Sequence, residues 1–223
     1  VLAEMGGIDP LYKTGQVRWY KRPQKGKVYT VALDPSLGTG GDPAAIQIFE
    51  VPSMMQVGEW QHNKTIIQRQ VAILKEICQY IYEITENDQD IYYSVENNTL
   101  GEAALVAIAE IGEENIPGIF LSEPHRAGHS RMYRKGFTTT NKSKLAACAK
   151  LKSLIETKRL AIASKVLISE LKSFVASGSS YAAKLGEHDD LVMALILAIR
   201  MVQLLQNFDA TMDAELRDSI DNF

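Results

Sequence analysis

The order of strand-like and helix-like segments is the feature that most constrains the fold of this chain. Three apolar runs with the composition of strands, residues 28–34, 44–51 and 55–60, follow one another with turn-forming residues between them. A helical pattern of apolar residues then covers about 64–86, and a fourth strand-like run, 91–96, comes after it. Because a strand that returns after a helix joins the sheet through a crossover, the fourth strand is expected to lie parallel to the first.

The remainder of the chain adds a short strand, several helices and a small hairpin. The strand is expected at 118–121, the hairpin near 174–184, and the helices over about 100–111, 140–157, 164–174 and 189–206. The predicted fold class is α/β, with a mixed five-stranded central sheet flanked by helices. A three-strand antiparallel meander followed by parallel strands is the plan of the ribonuclease H-like fold.

The folded domain is expected to occupy residues 28–206. Residues 1–27 contain turn-forming glycine and proline but no periodic apolar pattern, which predicts a linker or lead-in. Residues 207–223 are polar and are expected to form a loose C-terminal tail. A chain of 223 residues with 46% hydrophobic residues has room for one large domain with extensions.

Composition argues against a secreted or membrane-spanning protein. The N-terminal residues lack the basic start and the apolar run of a signal peptide. The most apolar stretch, 191–205, is interrupted by Arg200 and Gln203 and is too short for a membrane span. Cys78 and Cys148 lie inside helical patterns and are expected to be buried thiols, as in a reducing compartment.

Acidic residues stand at the ends of two predicted strands and at the start of the last helix. Asp34 ends the first strand, Glu96 ends the fourth, and Asp189 and Asp190 open the helix. Carboxylates placed in this way can converge, and their mutual repulsion is relieved when cations lie between them. Such oxygen-rich sites suit Mg²⁺ or Mn²⁺, and two ions can bind the attacking and leaving oxygens of a phosphodiester. A metal-dependent nuclease is therefore the leading hypothesis.

Each acidic segment also has a simpler interpretation. The glycine-rich segment 38–42 is typical either of a β-turn or of a loop that approaches a metal or phosphate, and the sequence supports both equally. An Asn or Thr just after Glu96 could simply cap the next helix, and acids in the first turn of the last helix could oppose its macrodipole. Three acids and a histidine within 187–190 are more than a helix cap needs. His188 is either a supporting group of the site or only structural.

A basic segment interrupts an otherwise acidic chain. Between residues 122 and 152 eight Lys or Arg face one acid, Glu123, which gives +7 and leaves −10 elsewhere in a chain of net charge −3. This pattern indicates either a phosphate-binding surface or a solvated loop and helix face. The candidate DNA-binding residues are Arg126, Arg131, Arg134, Lys135, Lys142 and Lys144.

Four motifs carry a family resemblance. They are Val-Ala-Leu-Asp34 followed by Gly-x-Gly-Gly-Asp42, then Tyr-Ser-Val-Glu96-Asn-Asn, Gly-Phe137-Thr-Thr-Thr-Asn-Lys-Ser-Lys144, and Gly-Glu-His-Asp189-Asp190-Leu-Val-Met-Ala. In this order, and over about residues 28–206, they resemble the C-terminal nuclease domain of the large terminase subunit of tailed bacteriophages. That family is similar in fold to ribonuclease H and the Holliday-junction resolvases.

The resemblance assigns a role to each motif. Asp34 and Glu96 match the first two catalytic, metal-binding carboxylates, and the third falls at Asp189 or Asp190. Asp190 is favoured if Glu187, three residues earlier, occupies the helix-entry position where related resolvases place a ligand. Asp42 matches a supporting acid, and Gly136–Lys144 matches a stretch near the DNA path.

The resemblance also implies an activity, partners and a location. The domain would use Mg²⁺ or Mn²⁺ to cut concatemeric viral double-stranded DNA at the start and end of genome packaging. Its partners would be an N-terminal packaging ATPase domain, the portal and the small terminase subunit, in the host cytoplasm on the assembling prohead. This chain has no phosphate-loop motif, so it is expected to be a fragment or an isolated domain.

Two alternatives stay open from the sequence. A resolvase-like or integrase-like nuclease of the same fold class would act on branched DNA. A non-catalytic module that binds DNA or the portal would use its acids only as helix caps.

Overall fold

A seven-stranded mixed sheet forms the centre of the fold. The computed structural model describes residues 2–98, 100–124 and 135–220, with side chains up to Asn207. The strands are β1 (Tyr12–Thr14), β2 (Val17–Trp19), β3 (Val28–Asp34), β4 (Ala44–Val51), β5 (Met55–His62), β6 (Ile91–Val95) and β7 (Ile119–Phe120). Their order across the sheet is β1-β2-β5-β4-β3-β6-β7. β3, β6 and β7 are mutually parallel, and the other pairs are antiparallel.

Helices cover both faces of this sheet. They are α1 (Ile67–Thr85), α2 (Gly101–Ile111), α3 (Asn141–Glu156), α4 (Lys165–Ser173) and α5 (Asp190–Ile220), and a separate hairpin pairs β8 (Phe174–Ser177) with β9 (Ser180–Ala183). The predicted meander, the parallel fourth strand and the small hairpin are confirmed. Cys78 and Cys148 are buried free thiols, also as predicted.

Alternation along β3 explains the two layers of the core. Val31 and Leu33 face α1 and α2, whereas Ala32 faces α5 together with Ala45 of β4. The two alanines leave room for a helix to approach the sheet closely, because they carry no side-chain atoms beyond Cβ. α5 packs there across β3 and β4, with its N-terminus at the end of β3 that carries Asp34.

The N-terminal segment differs from the prediction of a linker. Its two strands form a hairpin that extends the sheet to seven strands, and Arg18 and Trp19 of β2 pair with Glu59 and Gly58 of β5. Arg18 and Tyr20 also reach the fully buried Glu59 carboxylate, at 3.0 and 2.8 Å. Strands of three residues are too short to produce a periodic pattern, and this hairpin is stabilised by its tertiary partners.

α5 differs from prediction at its C-terminal end. Residues 207–220 were expected to be a loose tail, but the helix continues to Ile220. This segment is polar yet contains neither glycine nor proline, so nothing in it interrupts a helix that has already formed.

The first half of α5 is the only described helix that is long and apolar enough to cross a membrane. The window Asp190–Asn207 has a mean hydropathy of 1.4, and 67% of it is buried within the fold. Its contacts with β3 and β4 explain the apolar composition, since a helix that packs across a sheet buries most of its surface.

Candidate active site

Asp34 and Glu96 lie side by side at one edge of the sheet. Leu33 of β3 is paired with Val95 of β6, and each acid follows its paired residue directly. The Glu96 amide donates to the Leu33 carbonyl at 3.0 Å, which extends the parallel ladder by one residue. Parallel strands present their C-terminal ends at the same edge, so the predicted convergence of the two acids occurs.

The environment of Asp34 is strongly acidic. Burial is the largest cause that raises the pKa of Asp34 well above its usual range, and the charge of Glu96 is the next. The Asp34 and Glu96 carboxyls share a hydrogen bond, and the charges of Asp190 and Asp189 add to the repulsion. A hydrogen bond between two carboxyl groups requires a proton, so a proton lies where a cation could replace it.

Asp190 and Asp189 have different surroundings. Asp190 is 8% exposed, and burial, followed by the charges of Asp189 and Asp42, raises its pKa to about 6. His188 partly offsets this shift, with Nδ1 3.7 Å from an Asp190 oxygen. Asp189 instead accepts a hydrogen bond from the Ala183 amide of β9 at 3.2 Å. Asp190 therefore belongs to the acidic cluster, whereas Asp189 also supports the hairpin.

Two further acids of the sequence motifs, Asp42 and Glu187, lie outside the buried part of the site. Asp42 is exposed, and its charge acts on Asp190 across the site. Glu187 is also exposed, and its amide donates to the Lys184 carbonyl at 2.9 Å in the turn before α5. Glu187 is not among the charges that shift Asp34 or Asp190.

The glycine-rich loop after Asp34 packs against its own chain. Gly38 has φ of +73°, and a Cβ there would lie 2.1 Å from the Thr65 carbonyl oxygen. The fully buried side chain of Gln70 fixes the loop, because it bonds to the Ser36 amide at 3.2 Å and to the Ser36 and Thr65 carbonyls at 2.7 and 2.8 Å. The close approach at Gly38 is thus explained by internal packing.

Glu96 does not cap the following helix. The N-terminal cap position of α2 is Leu100, which makes no side-chain capping bond. One oxygen of Glu96, Oε1, is buried and has no hydrogen-bond partner in the described part of the protein. A buried oxygen without a donor is costly, and it is chemically suited to a hard divalent cation.

The carboxylates lie close together but do not form a complete metal-binding site. Within residues 2–98, 100–124 and 135–220, no three Asp, Glu, His or Cys side chains are already spaced to hold one metal ion. The oxygen donors, their charge and the unsatisfied Glu96 atom are chemically suited to a hard divalent cation.

Glu170 is a buried acid beside this site that sequence analysis missed. Its carboxyl, on α4, accepts a hydrogen bond from the Val192 amide at 3.1 Å in the first turn of α5. Burial is the main cause that raises the pKa of Glu170 to about 8. The available signal was its position among Leu167, Ile168 and Leu171, on the apolar face of an amphipathic helix.

Lys135, the first described lysine of the basic segment, lies beside the residue that follows Glu96. The Lys135 carbonyl accepts from Asn97 Nδ2 at 3.0 Å, and the Lys135 ammonium pairs with Glu113. Lys142 is exposed in the first turn of α3, and Lys144 lies 5.8 Å from the centroid of the Phe174 ring. The other predicted DNA contacts, Arg126, Arg131 and Arg134, lie outside the described residues.

Fold and site together define a class of protein. It is a ribonuclease H-like domain with carboxylates at the ends of two parallel strands and on the helix that crosses the sheet. The family described as Terminase RNaseH-like domain matches residues 31–202, and the chain belongs to this family.

Solved structures agree with this assignment. The large terminase nuclease from thermophilic phage G20c with bound magnesium has a TM-score of 0.65 at 18% identity, over 89% of this chain and 94% of that one. The Thermus phage P74-26 large terminase nuclease domain has a TM-score of 0.61 at 18% identity, over 88% and 91%. The human cytomegalovirus terminase nuclease domain has a TM-score of 0.58 at 14% identity, over 79% and 83%. The predicted fold and family are confirmed.

Proposed function

We propose that this chain is a divalent-cation-dependent DNA endonuclease of a terminase large subunit, which cuts concatemeric viral DNA when genome packaging begins and ends. The observation that carries the proposal is the contact between Asp34 and Glu96 within a cluster that also includes Asp190. Four acids drawn together in a partly buried site repel one another, and a structural role alone gives no compensation for that repulsion.

Asp34, Glu96 and Asp190 would hold two Mg²⁺ or Mn²⁺ ions, and Asp189 would be a further ligand. The G20c large terminase nuclease has been solved with magnesium, with cobalt and with zinc, which supports a divalent site in this fold. When bound, such ions supply a nucleophile from water and positive charge for the phosphoryl oxygens.

The protein's own groups orient this site. β3 and β6 fix the backbones of Asp34 and Glu96 through their ladder, and Glu170 fixes the first turn of α5 by its bond to the Val192 amide. The negative charge of Asp42 raises the pKa of Asp190, and His188, with Nδ1 3.7 Å from an Asp190 oxygen, lowers it. We assign Asp42 and His188 supporting roles.

The basic segment would bind the phosphate backbone without reading bases. The residues assigned to this role are Arg126, Arg131, Arg134, Lys135, Lys142 and Lys144. Little sequence preference is expected from such contacts. The further partners we assign are a packaging ATPase domain of the same subunit, the portal and the small terminase subunit, on the prohead in the host cytoplasm.

The test is a cleavage assay with linear and branched DNA duplexes in Mg²⁺, Mn²⁺ or EDTA. We expect Mg²⁺ or Mn²⁺ to support cutting of linear duplex at many sequences, EDTA to abolish it, and Asp34→Asn to be inactive. Cutting confined to branched DNA would favour the resolvase alternative. Binding of DNA without cutting in either cation would favour the non-catalytic module.

A further inference from the structure

Arg200 is a buried cation within the apolar part of α5. Its residue exposure is 8%, and burial lowers the pKa of its guanidinium, while the charges of Glu123 and then Glu96 oppose that shift. A guanidinium in such a place is costly unless its donors are paired. The partners of Arg200 therefore indicate which part of the structure this buried guanidinium stabilises.

Within the described residues, the ion pair, the side-chain hydrogen bonds and the ring contact of Arg200 go to two short segments, 122–123 and 136–139. Arg200 forms an ion pair with Glu123, donates to the Thr138 carbonyl at 3.1 Å and to Thr139 Oγ1 at 3.3 Å, and lies 5.2 Å from the centroid of the Phe137 ring. A planar guanidinium can reach several acceptors at once, which a lysine ammonium cannot reproduce.

The same segments are hydrogen-bonded to each other. The Thr138 amide donates to a Glu123 carboxylate oxygen at 3.1 Å, and the Glu123 amide donates to the Gly136 carbonyl at 3.1 Å. Arg200 thus joins α5 to a closed pair of chain segments, 122–123 and 136–139.

Residue 137 in turn lies against Glu96. The Phe137 amide donates to the Val95 carbonyl at 3.0 Å, the Asn97 amide donates to the Phe137 carbonyl at 2.6 Å, and Glu96 pairs with Phe137 as an isolated parallel bridge. The backbone on both sides of Glu96 is therefore bonded to the residue on which Arg200 packs.

We propose that Arg200 is a positioning residue of the nuclease site, which holds segment 137–139 against Glu96 and so fixes the Glu96 carboxylate for cation binding. The inference rests on the proposed role of the Asp34–Glu96–Asp190 cluster. It differs from a purely structural role because it predicts an effect on cation affinity, beyond an effect on stability.

Arg200→Lys tests this proposal, with Arg18→Lys as the matched control. Arg18 also forms an ion pair, with the buried Glu59 at 3.0 Å, but it lies on β2, with three strands between it and β6. Each variant removes a guanidinium from an ion pair that has one buried partner, so both are expected to lower the melting temperature. Only Arg200→Lys should change the carboxylate site.

The primary readout is Mn²⁺ binding, measured by titration calorimetry without DNA. We expect Arg200→Lys to weaken Mn²⁺ binding about tenfold, the scale typical of residues that orient metal ligands. Arg18→Lys should bind Mn²⁺ as the wild type does. The cleavage rate, measured as a function of Mn²⁺ concentration, should shift its half-saturation point to higher concentration in Arg200→Lys alone.

Unchanged Mn²⁺ affinity in Arg200→Lys, or equal weakening in Arg18→Lys, would overturn the proposal. If Arg200→Lys does not fold, Thr139→Val removes one Arg200 contact with little change in volume and should weaken Mn²⁺ binding in the same direction. Because Mn²⁺ binding is measured without DNA, a wild-type chain that binds Mn²⁺ but cuts nothing would contradict the proposed function and leave this inference standing.

Discussion

Asp34 and Glu96 end adjacent parallel strands, one residue beyond the paired Leu33 and Val95, and their carboxyl groups share a hydrogen bond. Two carboxyls can share such a bond only while one of them is protonated. A proton or a cation can relieve the repulsion between the two acids, so pH and cation concentration should both affect stability at this edge of the sheet.

Replacement of Asp34 by Asn should stabilise the metal-free protein while it abolishes cleavage. At pH 7.5 the folded wild type has to take up a proton to relieve the repulsion between the two carboxyls, whereas the amide can donate toward Glu96 without one. In EDTA at this pH we therefore expect a higher melting temperature, by about 2–4 °C for each kcal/mol gained. Calorimetry should also show that Mn²⁺ stabilises the wild type and not the variant.

The control for that experiment is Asp88→Asn, which changes an exposed acid before β6, outside the cluster. It should leave both the melting temperature and cleavage unchanged. A lower melting temperature for Asp34→Asn in EDTA would show that the Asp34 charge stabilises the fold, contrary to this account.

Asp190 and Asp189 should differ in their importance for cleavage. Asp190 faces the other acids, whereas Asp189 accepts from the Ala183 amide, and an Asn oxygen could accept that bond equally well. We expect Asp190→Asn to remove detectable cleavage and Asp189→Asn to retain part of it, as measured by initial rates on linear duplex at saturating Mn²⁺. The reverse order of the two rates would assign the third carboxylate to Asp189.

Glu170 should make the stability of the metal-free protein depend on pH. Its pKa is about 8 in the folded protein and about 4.5 ordinarily, so between these values the folded state retains a proton that the unfolded state has released. Stability from this group is then present at low pH and falls as pH rises through that window. Glu170→Gln keeps an acceptor for Val192 and does not titrate.

The melting temperature of Glu170→Gln minus that of the wild type, in EDTA, should therefore increase from pH 5 to pH 8. Because other titrating groups affect both proteins, the difference isolates Glu170. A difference that stays constant over this range would show that the Glu170 pKa is not raised.

Lys142 and Lys144 should contribute to DNA affinity through phosphate contacts. If both lysines bind phosphates, Lys142→Gln combined with Lys144→Gln should lower the slope of log affinity against log salt by about 0.9 for each lost contact with duplex DNA. Fluorescence anisotropy with two unrelated duplexes should show equal weakening for both. The control, Lys25→Gln, removes an exposed lysine paired with Glu86 and should leave the slope unchanged. An unchanged slope in the double variant would show that these lysines are exposed to solvent and do not contact DNA phosphates.

The sequence predicted the acids of the site because their positions follow from local patterns. Asp34 and Glu96 each end an apolar run, and the helix between the two strands implies the parallel pairing that brings the acids together. Asp190 opens a strongly apolar helix that has to pack on the sheet. For these three residues, the position at the end of a strand or at the start of a helix is enough to predict where the side chain lies.

Other parts of the structure depend on tertiary contacts that leave little trace in the sequence. The β1–β2 hairpin is held by β5 and the Glu59 carboxylate, and its strands are too short for a periodic pattern. Glu170 and Arg200 look like ordinary charged residues of helices until their neighbours are known. In both cases the informative signal was a lone charge on an apolar helix face, which indicates a buried partner.

Anomalous diffraction from a crystal soaked in Mn²⁺ would show whether these carboxylates bind divalent cations. We expect anomalous peaks bounded by Asp34, Glu96 and Asp190, with Asp34 in contact with each ion bound there, and no such peak in an Asp34→Asn crystal soaked in the same way. Absence of a peak among these three carboxylates at a Mn²⁺ concentration that supports cleavage, or a peak at a different cluster, would contradict the account.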